Sequence, residues 1–540
     1  MRSKESNKLM AAESCFRRAP AQLRCPVLKC CPVRQHPLAF QNIFLRMFSP
    51  PIATAPTPRW VLWVAVVALL GYSLFLGKNF SSVAGGSDSS GYFNAAKLIA
   101  SGHLTAPQRD FSGLQVDSAT ALQPLGFIAE PTRARLVPTY PLGLPAHLAL
   151  ACSLFGWTIG PLLIGVGATL VAMILCHLIA RELGLAWPLA LAGAVMFGIF
   201  PVTIFVAVQP LSDVLAATWA LVVMFTALRS RRSLGWAFAS GAALAVAVFV
   251  RPTNVLLLPA LVVILGYGWR PLISAALGGL PGAIALLTIN AELYGSPWRM
   301  GYLSIFEAFG AEYFWRTTTH FAHWLAVLLP TVVLLLPFAA LRLARTRLRE
   351  LLALALWFFV PVIFYTYYEI SHEVWWCLRF ILPAVPALIL LALYGVSALL
   401  PASFKLLSAA GVALIVWSVA ASFYWTAHFH TLLSKTYEQA YLEVGNWAHQ
   451  HLPTNAVVLA NSDSGALYYY TTLPILRWDQ MSPEEFKRHA AHLAHAARPL
   501  HLIIPTSEET SVLTERAPAH WEKIAVVANR SIWRYAGPLP

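Results

Sequence analysis

The chain has 540 residues, 58% of them hydrophobic and 11% charged, with a mean hydropathy of +0.62. Soluble globular proteins carry roughly 25% charged residues, so a wholly water-soluble protein is excluded. The net charge of +14 lies largely beside apolar runs, where it reads as topology signal and anionic-lipid contact, and nucleic acid is not an expected partner.

Residues 1–58 read as a basic, disordered tail. Through Arg59 the chain carries ten Lys/Arg against two Glu, which assigns the N-terminus to the cytoplasm. Met47 offers an alternative start. Four of the seven cysteines (Cys15, Cys25, Cys30, Cys31) fall in this tail without a CxxC or His partner, so neither zinc nor a disulfide framework is implied.

Apolar runs of about 20 residues, enough to cross a bilayer core, recur from Arg59 to Trp425. The first, about Trp60–Gly77, is followed by a polar segment from Lys78 to Tyr140. The next apolar stretch, Pro141–Phe155, is too short to cross and suits a helix lying at the interface. With that stretch uncounted, Arg181, Arg229, Arg231, Arg232, Arg270, Arg342, Arg345, Arg347, Arg349 and Lys405 all fall on the cytoplasmic side. The expected fold is a polytopic α-helical membrane protein of about eleven spans over residues 59–425. Residues 78–157 form a large first exterior loop with interfacial helices, and residues 426–540 a small extracytoplasmic α/β domain.

In that domain Tyr437, Tyr441, Val444 and Trp447 fall at helical spacing between Ser434 and His451. Ala456–Ala460, Leu500–Pro505 and Ile524–Val527 read as strands. Ser482-Pro483-Glu484-Glu485 is a capping box that opens a helix to about Arg498. His489, His492 and His495 recur on that helix, but no acidic or Cys partner falls in register, so they read as a solvated face and no metal is expected.

Four charged residues are candidates for chemistry. Asp88, in Ser87-Asp88-Ser89-Ser90-Gly91-Tyr92, begins a helix that ends at Gly102, with Tyr92, Ala95, Ala96 and Ile99 on one face. Asp213 opens another helix after an exterior loop free of basic residues. Both fit N-caps, and both fit a general base presented at the membrane edge. Arg251 and Arg379 lie on the exterior side, against the positive-inside trend. Each is either a snorkelling cation or a bidentate phosphate ligand. The exterior aromatics, Trp375 and Trp376 among them, read as an interfacial belt.

These marks, in order, resemble the C-type glycosyltransferases, the superfamily of polyprenyl-phosphate-sugar-dependent membrane enzymes that includes protein mannosyltransferases and lipid A aminoarabinose transferases. Ser87–Tyr92 is similar to the acidic first-loop motif and Tyr140-Pro141-Leu142-Gly143 to a Tyr-Pro-Pro-Gly element. Ser212-Asp213 corresponds to a second acidic position. Arg251-Pro252-Thr253, Leu293-Tyr294-Gly295-Ser296-Pro297 with Gly301-Tyr302, and Arg379-Phe380 with Pro383 and Pro386 resemble downstream features. Where several relatives carry an Asp-Glu pair, this chain has Asp88 followed by Ser89, which leaves Asp88 favoured over Asp110, Asp117 and Glu130.

The resemblance implies inverting transfer of a sugar from a polyprenyl-phosphate donor to an envelope lipid, glycan or protein on the outer face of a bacterial inner membrane. Asp88 and Asp213 would be catalytic and Arg251 and Arg379 would bind the donor phosphate. Tyr92, Tyr140 and Tyr302 would line the pocket, and no cofactor is expected. The rivals are a transporter or flippase for lipid-linked intermediates and a non-catalytic scaffold. The structured first loop and the exterior α/β domain favour the enzyme over a transporter, and a scaffold predicts no pocket joining Asp88, Asp213 and Arg379.

Overall fold

The computed structural model describes residues 56–111, 114, 119–130, 134–302, 305–330, 332–401 and 403–539. The expected tail (save residues 56–58), with its cysteines and Met47, and Asp117 lie outside the described residues. Among the described residues, seven helices are long and apolar enough to cross a membrane. The pair Trp187–Gly198 and Pro201–Ala207, bent by 56°, makes an eighth if it is one span. Leu234–Val250 and Pro252–Leu265 are apolar but shorter; a 17-residue helix is only about 25 Å long against a core of about 30 Å. Length and composition therefore support seven or eight spans, and the expectation of about eleven counted such shorter segments too. The outer helices leave apolar side chains uncovered, as with Leu74 at 74% exposure on Arg59–Asn79. The chain is a multi-pass membrane protein.

Helix Gly143–Glu182 breaks at Gly156 (φ 80°, ψ 163°), a conformation that costs glycine little. The break falls just where the short stretch from Pro141 was expected to end. The two ends of the bundle differ in charge chemistry. Helix Ser212–Arg229 holds Asp213 near its start and Arg229 at its finish, about 24 Å away at 1.5 Å per residue. At the Arg229 end, Arg229 and Arg232 meet Glu182 at 3.0 and 2.9 Å, and Arg231 lies 3.5 Å from Glu350. Arg229, Arg231 and Arg232, assigned to one side, thus lie together at one end.

At the other end the first loop carries helix Ser87–Ala100 and a small antiparallel sheet of β1 (Ala106–Pro107), β2 (Phe127–Glu130) and β3 (Arg135–Pro138), in the order β1-β3-β2. The last apolar helix ends at His428. Beyond it lies a five-stranded sheet of β4 (Val457–Leu459), β5 (Ile475–Leu476), β6 (Leu500–Pro505), β7 (His520–Val527) and β8 (Arg530–Gly537), in the order β5-β4-β6-β8-β7. β4 pairs in parallel with β5 and β6, while β8 is antiparallel to β6 and β7. Helices cover both faces. Leu500, Leu502 and Ile504 pack with Phe486 and Leu493 of helix Pro483–His495, whereas Val458 and Ile503 pack with Val444 and Ala448 of helix Ser434–His451. A strand buried on both faces reads as an unbroken apolar run. Ser482 caps its helix, its Oγ accepting from Glu485 N at 3.1 Å.

The domain docks on the first loop through helix Ser464–Tyr470 and the turn after it. Arg109 donates to the carbonyls of Leu473, Tyr468 and Thr471 at 2.5, 2.6 and 2.8 Å, with its guanidinium 3.6 Å over the Tyr468 ring. Asn94 donates to Gly465 O at 3.0 Å and Ser464 Oγ accepts from Leu125 N at 3.0 Å. A hydrogen bond to a charged group is worth about 1.5–3 kcal/mol. Arg109→Ala is therefore expected to destabilise the protein by about 2–4 kcal/mol and to expose the C-terminal domain to protease; an unchanged melting temperature and cleavage pattern in detergent would contradict this docking.

Candidate active site

Backbone sterics shape the segments that bring the four charged candidates together. Arg251 precedes Pro252, which disfavours helical geometry in the residue before it. Helix Leu234–Val250 accordingly stops and Arg251 is extended (φ −148°, ψ 110°). Asn254 anchors the turn by donating to the carbonyls of Ala216 and Ala247 at 3.3 and 3.0 Å. Arg379 lies in a 3-10 stretch, Trp375–Ala384, that contains Pro383 and runs into Pro386; proline removes the N–H that an α-helix needs. Asp88 and Asp213 are each the second residue of a helix. Neither is the N-cap, a position held by Gly86 and Leu211, and neither helix has a side-chain cap. The N-cap role that local sequence suggested is thus replaced by long-range pairing.

The pairing alternates in sign. Arg251 Nη1 donates to Asp213 Oδ1 at 2.5 Å and to the carbonyl of Arg379 at 3.3 Å. Arg379 Nη1 lies 3.8 Å from Asp213 Oδ2, and its Nη2 donates to Asp88 Oδ2 at 2.8 Å. Exposure falls from 29% for the Asp88 side chain through 16% for Arg379 to 4% for Asp213. Asp88 is therefore the carboxylate that a bound molecule can reach. Arg379 Nε is buried with no hydrogen-bond partner among the described residues. Phe380 lies between the two cations, its ring centre 5.5 Å from Arg251 and 5.4 Å from Arg379, and Trp376 lies 5.2 Å from Arg379. Contacts within about 6 Å are attractive for a cation over an aromatic face. Trp376, expected in an aromatic belt, thus packs on a site cation.

Tyrosines close the other wall. Tyr92 OH donates to Ser212 Oγ at 2.9 Å, and its ring centre is 4.9 Å from that of Tyr140. Tyr140 OH is 2.8 Å from Ser87 Oγ, and its ring meets Tyr302 edge-on at 6.1 Å. Gly143, which follows Tyr140 by three residues, packs on the backbone next to Arg251: a Cβ there would fall 2.3 Å from Val250 N. Tyr294 OH donates to Pro138 O at 2.9 Å, which brings the segment through Tyr302 against Tyr140. A shallow, mostly apolar groove lined by Pro141, Leu142, Phe249, Pro252, Leu286, Ile289 and Tyr302 lies beside it.

Burial alone would raise the Asp88 carboxyl, but the Arg379 charge and hydrogen bond, the Tyr140 hydroxyl and the Arg251 charge hold it below the usual carboxylate value. Burial and the Asp88 charge push the Tyr140 hydroxyl well above its usual value, so Tyr140 remains a donor. All seven residues expected at the site meet here. Asp110 and Glu130 do not: Asp110 O accepts from Arg498 at 3.1 Å and Glu130 pairs with Arg135. Sequence reasoning missed Tyr365, whose hydroxyl is 2.9 Å from Thr253 Oγ1, and Glu438, which reaches Gly86 from the C-terminal domain. On the His-rich helix, His489 is buried against Glu485 at 3.3 Å while His492 and His495 are exposed. An acidic partner does fall in register there, four residues back, and the three do not share a solvated face. Among the described residues no group of three or more His, Cys, Asp or Glu side chains is arranged to hold a metal ion.

The fold has solved counterparts. ArnT from Cupriavidus metallidurans bound to undecaprenyl phosphate superposes with a TM-score of 0.58 at 14% identity, over 87% of this chain and 97% of that one. Its apo state gives 0.54 at 15% identity, over 88% and 97%. The fold is that of the C-type membrane glycosyltransferases. The archaeal oligosaccharyltransferase AglB from Archaeoglobus fulgidus, in complex with an inhibitory peptide and a dolichol-phosphate, gives 0.52 at 11% identity, over 84% and 71%. No protein-family model and no curated protein sequence matches the chain.

Because the folded value of Asp88 is depressed, its pairing stabilises the protein above the ordinary carboxylate value and the contribution is lost as pH falls through the folded one. Arg379→Gln is expected to cost about 3 kcal/mol at neutral pH, the low end for a broken buried pair, and less in acid. The Asp88 carboxyl, then buried without its main partner, should titrate above its ordinary value. Equal melting temperatures for variant and parent at neutral pH would contradict the pairing.

Proposed function

We propose that this protein is a membrane glycosyltransferase that moves a sugar, with inversion, from a polyprenyl-phosphate donor to an envelope lipid, glycan or protein on the extracytoplasmic face. One observation carries the reading: Asp88, the more accessible of the two paired carboxylates, contacts Arg379 at 2.8 Å, and the Arg379 Nε has no hydrogen-bond partner among the described residues. The shared fold of a protein solved with undecaprenyl phosphate supports the choice of donor.

The chemistry divides among the chain's own groups. Asp88 takes the proton from an acceptor hydroxyl as that oxygen attacks the anomeric carbon. The bond from that carbon to the phosphate oxygen breaks, and its electron pair stays on the departing polyprenyl phosphate, whose charge grows. Arg379 and Arg251 oppose that growing charge from fixed positions, which lowers the barrier. Tyr140, kept protonated, donates a hydrogen bond beside the base. Asp213 touches both arginines and orients them, while the groove beside Pro252 seats the first isoprene units. The low basicity of Asp88 in the resting protein is compatible with this role. A donor phosphate competes for Arg379, and each bond it takes from Asp88 restores basicity to the carboxylate as the donor arrives.

Asp88→Asn is expected to lower transfer from radiolabelled undecaprenyl-phosphate pentose or hexose in membranes by roughly 10²–10⁴, with undecaprenyl phosphate still bound. Wild-type transfer rates in this variant would remove Asp88 from the mechanism. Asp213→Ala should also slow turnover, while the protein still inserts; kinetics equal to the parent would reduce Asp213 to a helix-start residue.

A further inference from the structure

The C-terminal domain reaches the first-loop helix through one carboxylate. Glu438, in the first turns of helix Ser434–His451, accepts the Gly86 N–H at 3.2 and 3.4 Å on its two oxygens. Gly86 is the N-cap of helix Ser87–Ala100, which no side chain of its own caps. The N–H groups at a helix start lack intrahelical partners, and here a distant segment supplies an acceptor. The Ser89 hydroxyl also faces Glu438, so the carboxyl meets residues on both sides of Asp88. The fit is close: a Cβ on Gly85 would lie 1.8 Å from Glu438 Oε2.

Glu438 is itself braced. Tyr441, one turn along the same helix, lies under the guanidinium of Arg530 at 4.6 Å. Arg530 in turn is fixed by the buried Asp463 at 3.0 Å. Tyr470 OH accepts the Ala84 N–H at 2.9 Å, clamping the segment just before Gly85. The path from the α/β core to Asp88 is continuous.

We infer that Glu438 is a positioning residue, which fixes the first turn of helix Ser87–Ala100 so that Asp88 faces Arg379 and the acceptor hydroxyl. This deepens the proposed function and rests on the reading of Asp88 as the base. It also gives the C-terminal domain a part in turnover beyond covering the site. The groups facing Glu438 are Asp88 and Ser89 on the loop helix, Tyr441 on its own helix, Tyr470, and Arg530 on β8.

Burial raises the Glu438 carboxyl to about 7, with Asp88 adding to the rise and the Gly86 and Ser89 bonds and Arg530 opposing it. The folded protein therefore holds a proton there that the unfolded chain would release, and this stabilising contribution is lost as pH rises through about 7. Ionisation tightens the hold on Gly86 and, by reciprocity with the Asp88 charge, makes Asp88 more basic. Turnover should rise with pH through that value.

The test uses the full chain in membranes supplied with radiolabelled undecaprenyl-phosphate pentose or hexose, alongside binding of undecaprenyl phosphate alone. Glu438→Ala should lower kcat on the order of ten- to a hundredfold through misalignment, with donor KM and undecaprenyl phosphate affinity unchanged. Glu438→Gln keeps the accepting oxygen, so it should recover most of the acid-side kcat but lose the rise through about pH 7. If the alanine variant fails to fold, the near-isosteric glutamine variant decides alone. Wild-type kcat in the alanine variant, or an unchanged pH profile in the glutamine variant, would overturn the inference while leaving the proposed function standing. Absence of transfer in the wild-type protein would instead sink that function and the inference with it.

Discussion

The structure turns on a chain of alternating charge, Asp88–Arg379–Asp213–Arg251, assembled from the starts of two helices, a proline-terminated helix end and a 3-10 segment. Buried charges removed from water must be paired, and removing one member strands its neighbour at a cost of several kcal/mol. None of the four has a partner nearby in sequence, so satisfying them fixes how the first loop, helix Ser212–Arg229, Arg251 and the Trp375–Ala384 segment meet. The chain sums to zero charge, which lets it persist at the bilayer edge without a counterion. Its members still differ in access, from the enclosed Asp213 to the partly open Asp88.

That gradient is what makes the arrangement suited to chemistry as well as to folding. A fully satisfied ion-pair network would be only a staple. Here Arg379 retains a donor without a partner among the described residues, the two cations share an aromatic ring, and Tyr140 presents a hydroxyl that remains protonated. A group bearing negative charge can enter by taking over bonds that Asp88 holds at rest. In the proposed function, binding and the activation of the base are then one event, and the inferred part of the C-terminal domain is to keep the helix that bears Asp88 in place.

Much of this was legible in the sequence. Apolar runs marked most crossings, and the short stretch from Pro141 ended at the break provided by Gly156. Leu500–Pro505, apolar save for His501, was readable as a strand for that reason. The site charges were readable because each is expensive near a membrane: two arginines against the positive-inside trend and two carboxylates at helix starts. What local pattern could not give was the partner of each charge, so the N-cap reading of Asp88 and Asp213 failed to a pairing some 290 residues away for Asp88. Strands β1, β2 and β3 have two to four residues, too few for a period, and are held by pairing with one another. Glu438 resembled any solvated helix charge until the fold set it against Gly86. His489 resembled its exposed neighbours because burial on a short amphipathic helix depends on which side the sheet covers.

The most direct measurement of the central claim is an experimental structure of the protein with undecaprenyl phosphate bound. The account predicts the phosphate within hydrogen-bond distance of Arg379 and Arg251, about 3 Å, with Asp88 beside it and the lipid leaving along the groove at Pro141 and Tyr302. A phosphate held elsewhere, with Asp88 and Arg379 still paired and sealed from it, would contradict the account.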